Sequence, residues 1–133
     1  MKKRQVVITG AGACGLMAAI MAARNGAAVT VLEQNEKPGK KICATGNGRC
    51  NFSNLARPDD AYRGEHPEFV EDALREFSVE NTIEFFKEIG IYPLNRNGYL
   101  YPRSNQAQSV VDVLCMDCLL YTSPSPRDST SSR

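Results

Sequence analysis

Gly10, Gly12 and Gly15 stand at Gly-x-Gly-x-x-Gly spacing, and Glu33 follows Gly10 by 23 positions. Glycines so placed can bend a chain tightly and bring bare main chain against a diphosphate. A carboxylate about 20 residues further on can accept hydrogen bonds from ribose hydroxyls. Gly10 permits the turn, Gly12 removes the Cβ that would block a pyrophosphate, and Gly15 lets helix and strand pack closely. Ala13 and Cys14 open the helix whose N-terminal N–H groups would aim at the phosphates. An acid at position 33 also repels a 2′-phosphate, which favours an unphosphorylated adenosine ribose.

Such chemistry needs a strand on each side of the turn and helix. The apolar run Gln5 to Thr9 precedes the glycines, the alanine-rich stretch Leu16 to Arg24 follows them, and the β-rich run Ala28 to Leu32 ends at Glu33. This order predicts a βαβ unit of Rossmann type and an α/β fold. The helix is expected from about Cys14 to Asn25, with Gly26 as the left-handed stop and Ala18, Ala19, Ala22 and Ala23 keeping it slim against the sheet.

Beyond Glu33 a polar connection, Gln34 to Lys41, carries the turn pair Pro38-Gly39. In Ile42 to Asn51 glycines alternate with polar groups, and neither helix nor strand can be read. Close backbone approach at Gly46 and Gly48, with Lys41 and Arg49 nearby, would suit a second contact with a pyrophosphate or with the flavin side of a dinucleotide. The plainer alternative is a glycine loop with solvated lysines.

Residues 52–63 read as loop. A helix is expected after Pro67, with Phe69, Val70, Ala73, Leu74 and Phe77 as a core-facing stripe. Ser78 caps another, with Glu80 in its first turn, Val79, Ile83, Phe86 and Ile89 inward, and Gly90 as the stop. Ile91 to Leu94 and Tyr99 to Tyr101 flank Asn95-Arg96-Asn97-Gly98, a hairpin signal, and Pro93 and Pro102 suggest edge strands. From Ser104 a last helix turns Ala107, Val110, Val111 and Leu114 inward.

Sixteen basic against fifteen acidic residues leave a charge of +1, which offers no electrostatic case for nucleic acid or a membrane as partner. Lys2-Lys3-Arg4 begins like a secretory leader, but Gly10, Gly12 and Gly15 interrupt the apolar core, and no run approaches the roughly 18 residues of a span. A cytoplasmic location is expected. Five scattered cysteines in such a chain argue against a disulfide framework. Cys115 and Cys118 have CxxC spacing without a second pair or histidine, so no metal is expected. His66, the single histidine, is expected at the surface, and Cys50 is read as a packed thiol.

From Val6 to about Leu114 the chain resembles the BaiN-type, aminoacetone-oxidase-like family of bacterial FAD-dependent oxidoreductases, within the glutathione-reductase-like superfamily. The resemblance rests on GAGACGLMAAIMAARNGAAVTVLEQNEKPGKK, TGNGRCNFSN, FSVENTIEFFKEIGI and NGYLYPRSNQAQSVVDVL, of which TGNGRCN is the most specific. It implies a three-layer FAD-binding domain, present here incompletely, with the start of an inserted helical and hairpin region. It implies FAD held by Gly10, Gly12, Ala13, Cys14, Gly15, Glu33 and Gln34, with Lys41, Thr45, Gly46, Gly48, Arg49, Cys50 and Asn51 also lining the cofactor. NAD(P)H would be the electron donor, and a small molecule the substrate. Cys14 and Cys43 stand where such proteins often carry alanine or an aliphatic residue. No catalytic residue can be assigned, because members are about three times longer and the substrate side is absent.

The expected division is 1–66 as the first part of the FAD domain, 67–114 as its continuation, and 115–133 as a non-native or disordered tail. Leu119 to Asp128 resembles translated sequencing-adapter sequence, which puts the end of the natural chain near Leu114. An NAD-only dehydrogenase domain and a non-catalytic dinucleotide-binding module are the alternatives. A flavin-dependent RNA-modifying enzyme is a further one, against which the lack of a basic patch counts.

Overall fold

The computed structural model describes residues 2–56 and 60–121. The chain divides into two compact units, Met1–Cys43 with Val111–Arg133, and Ala44–Val110. These divisions fall elsewhere than at 66 and 114.

In the first unit, strand β1 (Gln5–Thr9) runs parallel to β2 (Ala28–Leu32), with Gln5 opposite Ala28 and Thr9 opposite Leu32. Helix α1 (Ala13–Arg24) makes the crossover. This is the βαβ unit read from the sequence, and the fold is an incomplete Rossmann domain. Helix α1 ends in a tight C-cap, where Gly26 adopts φ +88° and the Ala27 N–H donates to the Ala22 carbonyl at 3.1 Å. Its buried side chains are Leu16, Ala19, Ile20 and Ala23, whereas Ala18 is exposed and Ala22 half-buried. Larger Leu16 and Ile20, rather than alanines alone, fill the contact. On the other face of the two strands Val7 is 64% exposed and Leu32 53%. A parallel sheet is ordinarily covered on both faces.

Two segments expected to be irregular contain short elements. Helix α2 (Lys40–Ala44) and a 3₁₀ turn (Thr45–Gly48) occupy the stretch from Ile42 to Asn51, and the two-residue strand β3 (Ser53–Asn54) lies within the expected loop. One turn of helix is too short to show a period, and β3 exists only through its distant partner. Helix α3 (Phe69–Glu76) forms where expected, but its stripe is not core: Phe69 is 81% exposed and no residue of the helix is buried. Periodicity gave the helix, not its cover.

Helix α4 (Val79–Glu88) starts at a capping box, in which Asn81 N–H donates to Ser78 Oγ at 3.1 Å and Ser78 N–H donates to Asn81 Oδ1 at 2.9 Å. Its fully buried side chain is Phe85, in edge contact with Phe86. Strands β4 (Pro93–Arg96) and β5 (Tyr99–Pro102) form the hairpin, and the order β3-β5-β4 places β5 in the centre. Pro102 therefore does not mark an edge strand; it closes β5 opposite Pro93, where the ladder ends. Asn97 and Gly98 have φ +54° and +92°, as their turn requires.

Helix α5 (Ala107–Tyr121) buries Ala107, Val110, Val111 and Leu114 as expected. It starts three residues later than read. It also runs past Leu114, and 115–121 are helical. The disorder expected from Thr122 to Arg133 lies outside the described residues.

Candidate dinucleotide site

Two of the three fingerprint glycines are required by the fold, each for its own reason. Gly10 has φ +95°, a conformation that L side chains rarely adopt. A Cβ on Gly15 would overlap the Gly10 carbonyl oxygen and press on Ile8 Cγ2 at 3.4 Å, so the close approach of α1 to β1 demands glycine. Gly12 meets neither condition: its backbone is extended (φ −89°, ψ −169°), and a Cβ there would meet nothing within 4 Å. Nothing inside the protein forbids a side chain at Gly12.

Gly12 is also the N-cap of α1, without a side-chain cap, and the first turn holds no acid. Leu16 is the first intrahelical donor, bonding the Gly12 carbonyl at 2.9 Å. The N–H groups of Ala13, Cys14 and Gly15 precede it and so have no acceptor within the helix. They crown the positive end of the helix dipole, where an anion is stabilised.

Glu33 reaches back to this loop. Its Oε1 accepts the Ala11 N–H at 2.8 Å, and its Oε2 accepts the Asn35 N–H at 2.8 Å. The Asn35 N–H, and next the Ala11 N–H, hold the carboxyl below the usual carboxylate range. A carboxylate offers about four lone-pair sites. The Asn35 side chain and the Gln34 N–H also face this carboxyl, so the loop's own polar groups share its lone pairs. Gln34, between the two donors, is exposed.

The loop's third tie was not legible as part of the site. The Ala11 carbonyl accepts the Gly39 N–H at 2.7 Å, and Gly39, buried with φ +72°, would put a Cβ 2.5 Å from Val111 Cγ2. The pair Pro38-Gly39 signalled a turn but not its burial, and Ala11 acts through main chain alone. Lys41, in α2, is exposed.

The remaining expected cofactor residues lie in the second unit. Gly46, Gly48 and Cys50 all have positive φ, as does Asn47. Cys50 N–H donates to the Thr45 carbonyl and Arg49 N–H to that of Gly46, each at 3.1 Å. A Cβ on Gly46 would fall 2.5 Å from the Asn51 nitrogen. Asn51 Nδ2 donates to the carbonyls of Ser53 at 3.3 Å and Leu100 at 3.4 Å. Asn51 thus fastens the loop to the sheet, a structural role. Arg49 is half-exposed and Cys50 buried.

The other reactive side chains form no further centre. Burial pushes the Cys118 thiol up to about 11 and raises that of Cys115 as well, which disfavours thiolate at either. Among the described residues no three of His, Cys, Asp and Glu are grouped to hold a metal. His66 is exposed, with Nδ1 3.0 Å from Glu68 Oε1. Sequence reasoning missed the ion pair of Arg24 with buried Asp117 at 3.1 Å. No helix among the described residues is long and apolar enough to cross a membrane.

A βαβ crossover with a glycine bend and a carboxylate pinned beside it defines a Rossmann domain of the dinucleotide-binding type. The chain belongs to the HI0933-like protein Rossmann-domain family, which matches residues 4–123. It is 50% identical over 115 residues to the 3-dehydro-bile acid delta(4,6)-reductase of Clostridium scindens, covering 85% of this chain and 28% of that protein. It is 34% identical over 119 residues to the ribosomal RNA dihydrouridine synthase of Escherichia coli, covering 89% and 30%, and 36% identical over 116 to that of Haemophilus influenzae, covering 86% and 29%. The chain thus spans less than a third of the length of these relatives.

Proposed function

We propose that this chain is the cofactor-holding portion of an FAD-dependent reductase. The carrying observation is Gly12, whose missing side chain the protein's own packing does not explain and whose open surroundings lie at the N-terminus of α1. A ligand that needs the bare main chain explains it. In this reading the N–H groups of Ala13, Cys14 and Gly15 bind the pyrophosphate, and Glu33 accepts from the adenosine ribose. Gln34 and Lys41 border that half of the cofactor. For Thr45, Gly46, Gly48, Arg49, Cys50 and Asn51, a cofactor-lining role is supported by the family resemblance and by the left-handed main chain of that loop.

The names of the relatives share one reaction. The delta(4,6) double bonds of a 3-dehydro-bile acid and the uracil double bond that is lost in dihydrouridine are ring double bonds conjugated with a carbonyl, and each name describes reduction of such a system. We assign the same class of substrate to the parent of this chain, with NAD(P)H as donor and the cytoplasm as location. Bound FAD, once reduced by that donor, would supply the hydride for saturating such a bond, with a proton completing the addition. This chain's residues bind and orient the adenylate half; the residues facing the substrate belong to the remainder of the parent.

Isothermal titration of the purified chain with FAD, ADP-ribose and NAD tests the reading. Saturable binding of FAD and ADP-ribose, abolished in Gly12→Val while the circular dichroism spectrum is retained, is expected. Equal affinity of wild type and Gly12→Val would end it, and binding of NAD in clear preference to FAD would replace it with the dehydrogenase reading.

A further inference from the structure

Three consecutive peptide planes of the glycine loop are each held by a different group. The Gly10 N–H donates to the Leu32 carbonyl at 2.6 Å, and the Ala11 N–H donates to Glu33 Oε1 at 2.8 Å. The third plane, between Ala11 and Gly12, is held through its carbonyl, which accepts the Gly39 N–H at 2.7 Å. The first two tethers come from β2 and the acid that follows it, brought close by strand pairing. The third comes from the turn before α2, which belongs to no strand.

That turn is fixed by α5 instead. Gly39 is buried, and a Cβ there would lie 2.5 Å and 2.8 Å from the two methyl groups of Val111. Val111 is itself buried in the same unit. One side chain of α5 therefore sets how far the Pro38-Gly39 turn can stand from the loop, with no room for even a methyl group between them. The tether in turn decides where a donor points. In a planar trans peptide the C=O and the N–H point in opposite directions. With the Ala11 carbonyl turned onto Gly39, the N–H of Gly12 points the other way, out from the buried turn. Among the described residues no group accepts that N–H.

We propose that Gly39 and Val111 are positioning residues of the dinucleotide site: Val111 seats Gly39, and Gly39 holds the Ala11–Gly12 peptide so that the Gly12 N–H joins those of Ala13, Cys14 and Gly15 on the pyrophosphate. The proposal rests on the FAD reading and adds to it a link from α5 to one donor of the site. Gly39 acts through its main chain, and Val111 through contact alone. Such a link runs both ways, since a ligand that bonds the Gly12 N–H also favours the seat of Gly39 against Val111.

The test is a calorimetric titration of the 133-residue chain with ADP-ribose, below the melting transition of every variant, alongside amide nuclear magnetic resonance of the isotopically labelled chain. In the wild type the Gly12 amide resonance should shift at saturation, as its N–H gains an acceptor. Gly39→Ala drives a methyl group onto those of Val111. The expected loss of affinity is about 10- to 100-fold, the weight of one hydrogen bond to a charged group, and the Gly12 shift should go with it. In the double variant Gly39→Ala with Val111→Ala both opposing methyl groups are gone, and the nearest atom left is the β-carbon at position 111, 3.2 Å away. Most of the affinity should return. The left-handed backbone at position 39 strains both variants alike, and the double variant adds a cavity, so a role in stability alone predicts no recovery. An absence of recovery in a double variant that melts cooperatively would overturn the proposal, as would wild-type affinity in Gly39→Ala. So would a Gly12 amide unmoved at saturation in the wild type, a measurement that needs no variant to fold. Those three outcomes leave the FAD reading standing, whereas a wild-type chain that does not bind ADP-ribose removes that reading and the proposal with it.

Discussion

The carboxylate of Glu33 is held across the glycine loop by the main chain of Ala11, 22 residues earlier, with N–H to Oε1 at 2.8 Å. The bond makes the position of the acid a property of the loop rather than of a free side chain. Glu33→Gln keeps one carbonyl oxygen for two N–H donors, so one of them loses its acceptor. We expect about a tenfold or greater loss of FAD or ADP-ribose affinity, measured by calorimetry, with a smaller effect on the melting temperature because the group is only half-buried.

The same geometry sets a pH dependence. Because the folded-state pKa of Glu33 is lowered, its contribution is fully present above the unfolded value and is lost as pH falls through the folded one. Nucleotide affinity should therefore be flat from neutral pH down to about 5 and fall below the ordinary carboxylate range. In Glu33→Gln that acid limb should vanish. A limb of the same shape in both proteins would assign it to another group.

Gly12 and Gly15 should separate binding from folding. Gly12→Ala places a methyl group in open space at an extended backbone, so stability should change by less than about 1 kcal/mol while nucleotide affinity drops. Gly15→Ala drives a methyl group into the Gly10 carbonyl and should cost about 1–3 kcal/mol or more. Urea denaturation and nucleotide titration of the two variants, side by side, check both halves.

Thiol reactivity should rank by burial and position. Cys14 is exposed at the start of α1, Cys50 is buried, and the Cys118 thiol is pushed up to about 11, with Cys115 raised as well. At pH 8 a disulfide-exchange reagent should modify Cys14 first and Cys118 slowly, since the thiolate is the reacting form. A saturating dinucleotide should protect Cys14. Mass spectrometry of the modified chain identifies the sites.

Two structural bonds give stability predictions. Ser78→Ala removes the oxygen that caps α4 and should cost about 1 kcal/mol. Asp117→Ala leaves Arg24 without its carboxylate and should cost about 1–3 kcal/mol. An unchanged denaturation midpoint in Asp117→Ala would show that the helix beyond Leu114 contributes nothing to the fold.

The sequence by itself determined whatever depends on local order. The β1–α1–β2 unit, the stop at Gly26, the Ser78 cap and the Asn97-Gly98 turn follow from periodicity and from residues whose backbone preferences are strong. The four inward residues of α5 were legible because a single helical face orders them. Tertiary structure decided the rest, since it depends on partners distant along the chain. Strand β3 exists only against β5, β5 is central only because β3 joins the sheet, and the stripe on α3 stays short of full burial. Ala11 and Gly39 entered the site through backbone bonds that no side-chain pattern announces. Composition could give only the net charge; it took the pairing of β4 with β5 to set Arg96 across from Tyr99, because register, not residue count, fixes which side chains share a face.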